Sequence, residues 1–118
     1  MNHFAITGYI GKDLEQVTTP SGADLVKAVV GVKEFYDGEE KTHWIDLTLW
    51  GKLGINFAAV CGKGDFVLVS GKITKRTWKD RDNNPRATYE FIGLHWELLR
   101  RTGEAVAQPE PSESKYAF

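Results

Sequence analysis

Thr42-His43-Trp44-Ile45-Asp46-Leu47-Thr48-Leu49-Trp50 sorts into two unlike sets when read as a strand, because successive strand side chains point to opposite sides of a sheet. Ile45, Leu47 and Leu49 form one set, uniformly aliphatic and suited to an interior. Trp44, Asp46, Thr48 and Trp50 form the other, so two tryptophans share the polar side of one strand.

The neighbouring segments repeat the pattern. Upstream, residues 24–33 place Val26, Ala28, Val30 and Val32 on an apolar face and Lys27 and Lys33 on the outward one, just before Phe35 and Tyr36. Residues 3–10, 65–78 and 86–99 also read as strands, separated by Thr19-Pro20-Ser21-Gly22, Tyr36-Asp37-Gly38 and Asp82-Asn83-Asn84-Pro85. Between Gly51 and Gly62 the period changes, and Leu53, Phe57 and Val60 recur at helical spacing. The expected fold is therefore all-β: a five-stranded OB-fold barrel with one short helix between strands 3 and 4 plugging one end. An SH3-like barrel is the nearest rival on pattern alone.

The 118 residues fit a single folded unit, expected over 1–101, followed by a flexible tail at 102–118 where Gly, Glu, Ala, Gln, Pro and Ser predominate. The hydrophobic share of 42% and charged share of 26% are those of an ordinary globular protein, and no apolar run reaches bilayer length. No membrane partner is expected. The N-terminus lacks the charged-then-apolar order of a secretion signal, and the lone Cys61 excludes an internal disulfide. A cytoplasmic, nucleoid-associated protein is the expectation.

Net charge is −1, so overall positive charge makes no case for a nucleic-acid partner. Its distribution does. Between Lys72 and Arg81, Lys72, Lys75, Arg76, Lys79 and Arg81 face only Asp80, while Glu34, Asp37, Glu39, Glu40 and Asp46 make a neighbouring stretch acidic. Strand parity puts Lys72, Thr74, Arg76 and Trp78 on one face, so a third tryptophan stands among cations.

Single-stranded DNA is held by stacking its bases on aromatic rings while cations neutralise its phosphates. Tyr36, Trp44, Trp50 and Trp78 are the candidate rings, with Lys33, Lys72 and Arg76 the cations grouped with them. Each stacked base contributes about 1–3 kcal/mol, enough for a few rings to bind without regard to sequence. A strand tryptophan is also a common packing residue, and an exposed aromatic patch equally suits a protein partner or RNA. Trp96 is set aside, because its strand is apolar on both parities.

Thr7-Gly8-Tyr9-Ile10-Gly11-Lys12-Asp13-Leu14-Glu15, Thr42-His43-Trp44, Leu49-Trp50-Gly51-Lys52-Leu53, Lys63-Gly64 and Gly71-Lys72-Ile73-Thr74-Lys75-Arg76-Thr77-Trp78 follow one another in an order that resembles the bacterial-type single-stranded DNA-binding protein family, over residues 1 to 99. The resemblance implies base stacking at Tyr36, Trp44, Trp50 and Trp78, and adds Lys52 and Lys63 along the strand's path. It also implies a homotetramer of OB folds serving DNA replication, recombination or repair. Two features depart from the family. Asp46 shares the face of Trp44 and Trp50, where a carboxylate repels phosphate. The chain ends Ser112-Glu113-Ser114-Lys115-Tyr116-Ala117-Phe118, without the acidic tip that recruits replication and repair proteins in the family, so the resemblance gives little ground for such partners here.

No catalytic or cofactor motif accompanies these features. Gly51-Lys52, Gly62-Lys63 and Gly71-Lys72 lack the rest of a phosphate-binding loop and read as turns and bulges. His3, His43 and His95 are scattered without metal-ligand spacing, and Ser70 lacks a nucleophile elbow. The expectation is no metal, no cofactor and no enzyme.

Overall fold

Alternating apolar side chains become long paired strands in the computed structural model, which describes residues 1–103. In chain order the elements are β1 (Phe4–Ile10), β2 (Glu15–Thr18), β3 (Asp24–Tyr36), β4 (Glu39–Trp50), α1 (Gly51–Val60), β5 (Phe66–Lys79) and β6 (Pro85–Arg100). The expected tail lies outside the described residues from position 104 onward. Among the described residues no helix is long and apolar enough to cross a membrane.

The strands form one sheet in the order β1-β5-β6-β4-β3-β2, and a further pairing of β1 with β3 closes the five long strands into a ring. All pairings are antiparallel except β4 with β6, which run parallel at Leu47–Phe91 and Thr48–Ile92. The closing contact is short, Tyr9 with Gly31 and Ile10 with Val30, so the rest of β1 is paired on the β5 side alone.

The ring contains the five strands expected from the sequence; β2 is an addition. Its four residues include one half-buried apolar side chain, Val17, too little to show a period. It forms because the Thr19–Gly22 turn folds it back on β3, pairing Thr18 with Asp24 and Glu15 with Lys27. The helix therefore follows β4 when every strand is counted, although it still separates the third and fourth strands of the ring.

The β3–β4 hairpin extends past the expected ends at Lys33 and Thr42, pairing Tyr36 with Glu39 across a two-residue loop. Asp37 (φ 55°) and Gly38 (φ 79°) supply the consecutive left-handed positions that such a loop needs to match the strand twist. At the other hairpin, Asp80 accepts the backbone N–H groups of Asp82 and Asn84, both at 2.9 Å, and Arg86 Nε at 2.9 Å. The Asn84 N–H, then Arg86, hold its carboxyl below the usual range.

Val26, Ala28, Val30, Leu47, Leu49, Val67 and Val69 fill the interior, and Phe57 of α1 closes over them, fully buried and edge-on to Trp96 at 5.4 Å. Of the expected helical stripe, Phe57 is buried and Leu53 half-buried, but Val60 is exposed. Val60 ends the helix, and the chain turns inward one residue later at buried Cys61. Gly71-Lys72 does mark a bulge, with the β5–β6 register shifting between Ser70 and Gly71.

Asp65 is the buried charged residue at the join of α1 and β5. Burial pushes its carboxyl up, but N–H groups donated by Thr102 at 2.8 Å and Gly62 at 2.9 Å outweigh it, leaving the net value lowered. Burial, reinforced by Asp65, raises the Cys61 thiol to about 11, so it packs protonated.

Two outcomes follow. Phe57→Ala should lower stability by about 3–5 kcal/mol in urea unfolding, because it empties the middle of the core. Asp65→Asn should cost about 1–3 kcal/mol at pH 7. A carboxyl whose folded value is depressed stabilises above its unfolded value near 3.9, so that difference should close as pH falls below about 4. An equal gap at pH 7 and in strong acid would contradict the role assigned to the carboxylate.

Candidate nucleic-acid interface

The register of β3 with β4 fixes which side chains share the outward face. Thr42, Trp44, Asp46, Thr48 and Trp50 stand opposite Lys33, Gly31, Val29, Lys27 and Leu25 in turn. The inward alternates Leu47 and Leu49 are buried, so the indoles are forced out: Trp44 is 60% exposed and Trp50 42%. Trp50 ends β4 in an extended conformation and is the residue before α1.

Trp78 lies on the β5–β6 hairpin, 46% exposed, on the β5 face that also carries Lys72, Thr74 and Arg76. Its indole N–H donates to Thr88 Oγ1 at 3.1 Å, which fixes the ring's polar edge and leaves much of the residue in water. Trp96 is half-buried against the core, while Tyr89, Leu94 and Leu99 of the same strand are exposed, so β6 is not covered on both faces.

A groove of about 810 Å³ runs beside Trp50 and reaches the β5–β6 hairpin at Arg76 and Thr88, while Trp44 and Trp78 do not line it. Trp50 and Arg76 both line it, together with Lys12, Lys27 and Tyr89. Three cations (Lys12, Lys27 and Arg76) there face three carboxylates (Glu15, Asp46 and Glu90), and Arg76 Nη1 is 3.2 Å from Glu90 Oε1. Lys27 was legible as a site residue, since it falls two strand periods from Trp44's partner Gly31 on the same face. Lys12 lies between β1 and β2, where no periodicity marks it, and Tyr89 sits on the parity opposite the Trp78 face of the hairpin.

The other candidates lie outside that groove. Tyr36 is exposed at the β3–β4 hairpin tip, with Lys41 Nζ 5.8 Å from its ring. Lys33 Nζ is 3.5 Å from Glu40 and 5.7 Å from the Tyr9 ring. Lys52 is exposed in the first turn of α1, two residues past Trp50. Lys63 is exposed in the turn after α1, which Gly64 ties to β1 by donating to the Ile10 carbonyl at 2.8 Å. Lys72 is exposed opposite Ile92.

A closed five-strand ring with a helix at its end and an open aromatic face defines the OB-fold class. The sequence matches the single-strand binding protein family over residues 1–99, and the chain belongs to that family. It is 30% identical over 128 residues to the single-stranded DNA-binding protein of Deinococcus radiodurans, covering 99% of this chain and 42% of that protein. Identity is 37% over 70 residues to single-stranded DNA-binding protein 1 of Clostridium acetobutylicum, covering 59% of this chain and 64% of that one. It is 31% over 139 residues to single-stranded DNA-binding protein 1 of Chlorobaculum tepidum, covering 98% and 86%. The chain thus spans less than two thirds of the first two relatives' lengths.

The exposures predict how the tryptophans meet a small quencher. A variant with Trp44, Trp50 and Trp78 all replaced by Phe, retaining only Trp96, should emit at shorter wavelength and resist acrylamide quenching relative to wild type. Equal quenching of the two proteins would contradict the placement of the three rings in solvent.

Proposed function

We propose that this chain binds single-stranded DNA without regard to sequence and protects it during replication, recombination or repair, by binding alone and without turnover. The observation that carries the reading is the outward placement of Trp44, Trp50 and Trp78, with Lys12 and Lys27 lining the groove beside Trp50 and Arg86 paired with Trp78, in a chain of the single-strand binding protein family. Those three rings and Tyr36 stack bases, while Lys33, Lys52, Lys63, Lys72 and Arg76 neutralise phosphates. Lys12 and Lys27 join the cations because they line the groove beside Trp50. Residues 1–101 are the binding unit, working as a homotetramer that wraps the strand, in the cytoplasm with the nucleoid.

Fluorescence titration with oligothymidylate tests this directly. Stacking should quench the tryptophans strongly, and log affinity should fall with log salt at about −0.7 per phosphate neutralised. Trp50→Ala should weaken binding by about 1–3 kcal/mol with little loss of thermal stability, since the ring lies outside the core. Absence of quenching at low salt would favour a protein-docking role for the aromatic face, and a large fall in melting temperature would show Trp50 to be a packing residue.

A further inference from the structure

Trp44 is the most exposed of the tryptophans placed on the outward face, yet its ring is seated against backbone. Its strand partner is Gly31, and Gly11, just past the end of β1, lies beside the same ring. A methyl group at Gly31 would stand 2.8 Å from Trp44 Cζ3 and 3.1 Å from Cη2. One at Gly11 would stand 3.0 Å from Cε3 and 3.1 Å from Cη2, and closer still to Cζ3. The same corner of the six-membered ring thus occupies the space of two missing side chains.

That notch is itself held firmly. Gly11 N–H donates to the Val29 carbonyl at 2.8 Å, and Tyr9 and Ile10 pair with Gly31 and Val30. Glycine weakens a strand by its entropy and its missing side chain, so Gly31 within β3, with Gly11 just past the end of the adjoining β1, marks a place where another group must approach closely. Here that group is the indole corner, and cross-strand contact of an aromatic ring with a glycine is a recognised way of recovering strand stability.

We propose that Gly11 and Gly31 are positioning residues that grip one corner of the Trp44 indole and hold it oriented before single-stranded DNA arrives, so that stacking immobilises no further side chain. This rests on the stacking role proposed above. A ring already fixed loses less conformational freedom on binding, which raises affinity without any new contact to the ligand. Tyr36, by contrast, stands exposed at a hairpin tip with Lys41 Nζ 5.8 Å from its ring. A methyl at Gly11 meets only atoms of the indole and must push its corner out of the notch, and one at Gly31 meets the same corner together with Thr42 Cγ2 at 3.1 Å.

A double-mutant cycle read by oligothymidylate affinity separates positioning from stacking. Gly31→Ala and, independently, Gly11→Ala should each weaken binding about three- to tenfold in the presence of Trp44 and leave it unchanged once Trp44 is Ala. Equal losses in both backgrounds would overturn the proposal and show a general effect on the sheet. If Trp44→Ala alone left affinity unchanged, the stacking role of that ring would fall, and the positioning role with it. If Trp44→Ala weakened binding but neither glycine variant did, only the positioning role would fall. A second measurement needs no substitution: in the unbound full chain, ¹⁵N relaxation of the Trp44 indole N–H should give an order parameter near that of rigid backbone, roughly 0.85. A value below about 0.6 would overturn the proposal.

Discussion

The register between β3 and β4 is the constraint on which the site depends. With Gly31 opposite Trp44 and Leu25 opposite Trp50, Leu47 and Leu49 are committed to the interior with Ile45 packed against it, and the tryptophans are left outside. A slip of one residue would bury the indoles and expose Leu47 and Leu49, exchanging core and site in one step. Such a slip is opposed from several directions. The Asp37-Gly38 loop fixes the hairpin end, the parallel contact of β4 with β6 fixes its middle, and α1 begins directly after Trp50. The outward placement of the β4 tryptophans is thus a by-product of forming the core.

Electrostatics plays a different part here from that in a strongly basic nucleic-acid binder. Net charge is −1, and the groove beside Trp50 balances Lys12, Lys27 and Arg76 against Glu15, Asp46 and Glu90. Such a surface gives weak long-range attraction for a polyanion. Asp46 sits between the two β4 indoles on the same face, where a carboxylate repels a phosphate group.

Much of this was legible in the sequence because period-two alternation is unambiguous in β4. Leu47 and Leu49 inward and Trp44 and Trp50 outward required only the parity rule. Phe57 as the interior residue of α1 was legible from helical spacing, whereas Val60 was misread because spacing does not show where the last helical turn leaves the core. The short β2 was missed because four mostly polar residues carry no period and depend on a turn elsewhere to pair. Tyr89 and Lys12 reach the groove through tertiary arrangement of a hairpin and a loop, and the notch under Trp44 needs two glycines some twenty positions apart in sequence. Neither relation exists until the ring of strands has closed.

The central claim is that three indoles stand in water ready to receive bases while the fourth belongs to the core. It is tested most directly by following the four indole N–H resonances as oligothymidylate is added to the full chain. Trp44, Trp50 and Trp78 should shift strongly and Trp96 little. Shifts confined to Trp96, or none at saturating oligonucleotide, would contradict it.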